Sequence, residues 1–204
     1  MRCFNVLIPI LLVVVLGSPP SAVRAGSSFG APRGHVPGQV EASFLINLFK
    51  FVTWPQAAQS LRNATICFLY TSDAHTSDVQ RRLQEALADH ESWTQLSGRT
   101  VSIRMLSAPG EIAEEIAGPA CQILYLDAGA VKQFNWPFQV PKSVLTVSNQ
   151  KDFAYTGGMI QFIWDTGDTY RIAIHIGNVK DSGLIVSGAL GTLVDRVDAA
   201  RFSP

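Results

Sequence analysis

Four histidines, His35, His75, His90 and His175, are the first residues to test for metal or proton chemistry. A metal site needs a second His, Cys, Asp or Glu at ligand spacing on one helix face, and none of the four has one. His75, close to Asp73 and Asp78, comes nearest to a cluster and reads as a polar loop residue. His175 falls within a hairpin strand and reads as an outward-facing polar side chain. A nucleophile elbow requires Gly-x-Ser-x-Gly, and Val186-Ser187-Gly188 lacks the preceding glycine. Gly188-Ala189-Leu190-Gly191 resembles half of a dinucleotide fingerprint, yet no strand-helix-strand unit follows it, so a loop entering a helix is expected. Gly157-Gly158 precedes a strand, which excludes a phosphate seat on a helix N-terminus and leaves a turn or a close backbone approach. Asn63-Ala64-Thr65 fits a glycosylation sequon of a length that arises by chance. Asp73 and Asp127 could act as paired carboxylates only if the fold joined them, and no spacing fixes that distance. These residues assign no catalytic group, no metal and no cofactor, and the expectation is a protein that is not an enzyme.

Aromatic side chains stand where reactive groups do not: Phe44, Phe49, Phe51, Trp54, Phe134, Trp136 and Phe138, then Phe153, Phe162 and Trp164. Most must form a core. Val40, Phe44, Leu48 and Phe51 already supply one buried helix stripe, which directs Phe49 elsewhere. Phe49, Trp54, Trp136 and Phe138 are therefore the candidate partner-binding residues, because aromatic anchors dominate interface energetics.

The elements that must position them follow from periodicity. Val40 to Phe51 has helical spacing, and Trp54-Pro55 stops it. Thr65 to Tyr70 reads as a buried strand, and Asp78 to Leu87 as a helix with Asp78 as N-cap and Val79, Leu83 and Leu87 facing inward. Thr100 to Leu106 alternates as a strand with one wet face, Glu111 to Ile116 as a short helix, and Cys121 to Leu126 as a fully buried strand. Strands alternating with helices imply parallel pairing under helices on both faces. Val144 to Val147 adds a strand, Met159 to Trp164 and Thr169 to Ile176 a β-hairpin, and Gly188 to Val197 a closing helix. The predicted fold is a mixed, mostly parallel α/β sheet with helices on both faces and a C-terminal hairpin plus helix.

The 204-residue chain opens with Arg2, an apolar run from Val6 to Leu16 and Val23-Arg24-Ala25, the pattern of a secretory leader cut after Ala25. That run is well short of the roughly 20 residues a membrane-spanning helix needs. Residues 1–25 are read as a signal peptide, 26–38 as a flexible N-terminus and 39–200 as one domain. Without Arg2 and Arg24, fourteen basic residues face sixteen acidic ones, and no basic cluster marks a nucleic-acid surface. The expected mature chain keeps Cys67 and Cys121. In an oxidising compartment these would pair, closing a loop that stabilises by at most about 4 kcal/mol; two buried free thiols are the alternative.

The run Val40-Glu41-Ala42-Ser43-Phe44-Leu45-Ile46-Asn47-Leu48-Phe49-Lys50-Phe51-Val52-Thr53-Trp54-Pro55 resembles the opening signature of the YfiR-like (YfiR/HmsC) periplasmic family. Cys67, Cys121-Gln122-Ile123-Leu124-Tyr125, Val144-Leu145-Thr146-Val147-Ser148, Phe153-Ala154, Gly157-Gly158-Met159-Ile160 and Gly183-Leu184 follow in the order and spacing of that family. The motif residues are Phe44, Leu45, Asn47, Lys50, Phe51, Trp54, Pro55, Gly157 and Gly158. The resemblance implies a periplasmic, non-enzymatic repressor of a membrane-bound diguanylate cyclase in cyclic-di-GMP signalling. Its implied partners are the periplasmic domain of that inner-membrane protein, a second copy of itself in a homodimer, and an outer-membrane lipoprotein that captures it. It also places Cys67 and Cys121 at a family disulfide. A second family disulfide has no counterpart, and Ile174-His175-Ile176-Gly177 replaces the usual acidic residue and asparagine. The rival reading is a periplasmic small-molecule binder serving a transporter or outer-membrane receptor, with a crevice near Thr71-Ser72-Asp73 and Asp127.

Overall fold

The computed structural model describes residues 29–30, 37–55, 63–69, 74–89, 95–96, 99–106, 121–165, 169–193 and 195–197. Three central strands, β3 (Asn63–Leu69), β5 (Arg99–Leu106) and β6 (Ile123–Leu126), lie parallel with β3 in the middle, and β7 (Leu145–Ser148) and β8 (Ile160–Asp165) extend them in the same sense. Then the direction reverses. β9 (Thr169–His175) returns antiparallel to β8, with Phe162 opposite Ile172 and Trp164 opposite Tyr170. At the far edge β4 (Gln95–Leu96) turns back on β5.

Alternation along the strands divides the core in two, as side chains of period two require. Ile66, Phe68, Ile123 and Tyr125 join one apolar cluster, whereas Cys67, Leu69, Leu124 and Leu126 join the other. Helices α1 (Pro37–Phe51) and α2 (Ala74–Asp89) cover the first face. The second face carries α3 (Ala128–Gln133) and the aromatic segment through Phe134, Trp136 and Phe138. The expected mixed, mostly parallel sheet with helices on both faces is thus the observed fold, and the hairpin β8–β9 is followed by α4 (Ile176–Asp181).

Local expectations differ at several ends. Asp78 does not cap α2, which begins at Ala74; it lies one turn inside and is bonded by Arg81 and Arg82. The segment read as a flexible N-terminus contains β1 (Phe29–Gly30), paired with Tyr170 and Thr169, and α1 already starts at Pro37. The closing helix is shorter than its periodicity suggests: α5 (Gly188–Leu193) gives way to β11 (Asp195–Val197), parallel to the outer side of β9. β2 (Val52–Thr53) and β10 (Ile185–Val186) form a separate antiparallel pair. The helix expected over Glu111 to Ile116 and the tip of the hairpin turn, 166–168, lie outside the described residues.

Candidate functional site

α1 is rotated by roughly a third of a turn from the stripe its aromatics suggest. Ala42, Leu45, Ile46 and Leu48 are buried, while Val40, Phe44, Phe49 and Phe51 pack at the margin. One helical turn before Leu45, the same buried face carries an acid, Glu41, whose side chain is 0% exposed. A buried carboxylate is tolerated only with donors around it. Glu41 has three: His75 Nε2 lies 3.1 Å from Oε1, Trp164 Nε1 donates to Oε1 at 3.4 Å, and Tyr125 Oη donates to Oε2 at 2.8 Å. These partners come from α2, β8 and β6, so one side chain ties the first helix to the second and to two strands.

Tyr170 borders this network, with its ring 4.8 Å from that of Trp164. Its hydroxyl is buried and has no hydrogen-bond partner. Burial above all, then the Glu41 charge and Tyr125, hold its pKa well above the ordinary phenol range, so it stays protonated. Outside lies an open cleft of about 540 Å³ lined by His75, Asn149, Lys151, Gln161 and residues of β8.

The aromatic candidates separate. Trp54 is only 3% exposed; its indole N–H donates to the Gln122 carbonyl at 3.3 Å and Phe49 stacks on it at 5.3 Å. It is a core residue, which corrects its reading as an interface anchor: Pro55 turns it inward against the start of β6. Phe49 is half-buried on the same face. Trp136 and Phe138 are half-buried on the opposite face, edge to face at 5.1 Å, with Trp136 also packed on Phe153. The four do not form one patch.

Among the other motif residues, Phe44 meets Phe162 edge-on, Leu45 is core, and Asn47 bonds back to the Ser43 carbonyl. Lys50 is exposed, Phe51 accepts from Ser187 N through its carbonyl, and Pro55 lies beneath Gly183. Gly157 has φ +103, and a Cβ on Gly158 would overlap the Phe153 ring.

Cys67 and Cys121 form a disulfide, with Cα atoms 5.8 Å apart. His175 is 8% exposed and not outward-facing; its Nδ1 accepts from Asn178 N at 3.0 Å and caps α4. Asp127 is likewise used as a cap, for α3, so it is not available to the crevice once considered beside Thr71-Ser72-Asp73, which lies outside the described residues. Among the described residues no group of three or more His, Cys, Asp or Glu could hold a metal, and no helix is long and apolar enough to cross a membrane.

Glu41 is not singled out by the spacing of reactive groups. The signal was an acid four residues before Leu45 and seven before Leu48, on the apolar face; its three partners, scattered in sequence, gave none.

The YfiR/HmsC-like family model matches residues 38–193, well over half of the chain. The chain belongs to this family. YfiR/HmsC-like proteins are periplasmic regulators, not catalysts. No curated protein matches the sequence. A conserved domain protein from Vibrio cholerae O1 biovar El Tor is similar over 78% of this chain and 60% of its own, at 11% identity and a TM-score of 0.49. An ABC domain crystallised with L-Trp from Streptococcus pneumonia is similar over 80% of this chain and 62% of its own, at 15% identity and a TM-score of 0.47. The chain spans about three fifths of these two structures.

Proposed function

We propose that this YfiR/HmsC-like chain is exported, loses residues 1–25 and represses an inner-membrane diguanylate cyclase by direct contact with its periplasmic domain. The family match over residues 38–193 carries the reading. Two further observations support it. The Cys67–Cys121 bond suits an oxidising compartment, and Glu41, the buried acid on the core face of α1, is held by His75, Tyr125 and Trp164.

Repression of this kind shifts a population: the regulator holds one state of the cyclase only by the difference in its affinity for two. Phe138 and the exposed part of Trp136, on the face that carries the disulfide, supply an aromatic contact; Phe49, on the other face, can serve only a second contact or the homodimer. Periplasmic fractionation should recover a chain beginning at Gly26, and its expression should lower cyclic-di-GMP. Phe138→Ala should weaken capture of the cyclase by about tenfold with circular dichroism unchanged. An unaltered cyclic-di-GMP level on expression of the unmutated chain would count against the reading. The small-molecule alternative rests on the open cleft beside His75 and Trp164; a ligand retained in native mass spectrometry would favour it.

A further inference from the structure

We propose that His75 and Glu41 form a proton-operated latch between α1 and α2, tight in mild acid and slack as the pH rises through the imidazole range. Of the three donors to Glu41, Trp164 does not titrate and Tyr125 is fully buried. His75 alone is both titratable near neutrality and in contact with solvent, with 30% of its side chain exposed at the wall of the cleft. Among the described residues, the groups facing the pair come from four elements and the cleft wall. Glu41 comes from α1, Tyr125 from β6, Trp164 from β8, and Tyr170, held protonated, from β9. Lys151 lines the same cleft. On α2 itself Asp78 stands one turn on, bonded to Arg81 and Arg82.

A carboxylate with no exposed surface that meets only neutral donors remains an uncompensated buried charge. Protonated His75 supplies the compensating charge. Neutral His75 can still donate through Nε2 but leaves Glu41 uncompensated. The pair's contribution is therefore complete below the ordinary imidazole value of about 6.5 and is lost as the pH climbs past it. The periplasm takes its pH from the surroundings, so the α1–α2 face of an exported chain would soften in alkali.

A second histidine among the described residues, His175, accepts from Asn178 N through Nδ1 to cap α4, and the profile should not report on it. The test accordingly uses His175→Asn, which retains a capping acceptor, as the reference protein. Amide exchange in α1 and α2, corrected for intrinsic chemistry, should lose about tenfold protection between pH 5.5 and 8, as a difference of one pKa unit gives. Adding His75→Gln should flatten the profile at its alkaline level, and adding Glu41→Gln should remove the slope. A slope that survives His75→Gln, or a reference protein whose profile is flat, would overturn the latch. Should Glu41→Gln fail to fold, the His75 imidazole resonance followed by NMR in the unmutated chain decides: titration above the free-peptide range supports the pair, and titration at or below it overturns it. No partner enters these measurements, so they stand apart from the regulatory reading.

Discussion

Gly157 and Gly158 are adjacent, yet each is glycine for its own reason. Gly157 adopts φ +103, a backbone conformation that L side chains rarely take, with Pro137 against the position its Cβ would fill. Gly158 is limited by space: a Cβ there would overlap the Phe153 ring and come 2.7 Å from the Phe153 carbonyl oxygen, which already accepts the Gly158 N–H. Phe153 is fully buried under Trp136 and cannot step aside. Gly158→Ala should therefore cost about 1–3 kcal/mol, as overpacking does, and urea denaturation measures it. A sequence reading limits these glycines to a turn or a close approach; which of the two applies depends on Phe153, Pro137 and Trp136, and on how the chain folds back over them.

α1 is the element whose packing decides what its signature residues do. Its existence and its last residue, Phe51, follow from spacing and are observed, but the helix passes into β2 at Val52, before the proline expected to stop it is reached. Its rotation does not follow, because a stripe of large aromatics and a stripe of Ala42, Leu45, Ile46 and Glu41 lie side by side on the helix, roughly a third of a turn apart. The aromatic stripe is the more apolar in sequence, but the sheet takes the smaller side chains, which let the helix approach closely, and the phenyl rings fill the margin. The same limit explains β11 and the early start of α1: spacing marks helical segments but carries no information on which outer edge is free to accept a terminal strand. Trp54 then closes the element on β6 through Gln122, whose side chain in turn accepts from Thr65 N of β3. Trp54→Ala should cost about 3–5 kcal/mol, the range for a fully buried aromatic, and lower the denaturation midpoint without a specific loss of partner binding. Phe49→Ala, at the half-buried margin, should cost clearly less in the same titration. Equal, small effects would mean that the indole is not the wedge its burial indicates.

At the scale of the whole molecule, the parallel centre of the sheet is built from segments far apart in the chain, and one covalent link shortens that distance. Cys67 on β3 and Cys121 at the entrance to β6 are 54 residues apart, and between them lie α2, β4 and β5. Parallel strands cannot be joined by a tight turn, so the unfolded chain must close a long loop before β3 and β6 can pair. The disulfide closes that loop in advance. In the loop-entropy description this amounts to at most about 4 kcal/mol, acting on the unfolded state and not on any native contact. The link lies in the apolar cluster with Leu69, Leu124 and Phe153, beneath Trp136 and Phe138, so Ala at both positions leaves no polar group stranded, although it does remove two sulfur atoms from the packing. The Cys67→Ala, Cys121→Ala double variant should therefore keep the native circular dichroism spectrum, unfold at a lower urea concentration and show a steeper denaturant dependence, because its unfolded chain exposes more surface. A lower midpoint with an unchanged slope would place the stabilisation in native packing at the sulfur pair, whereas loop closure in the unfolded chain moves both.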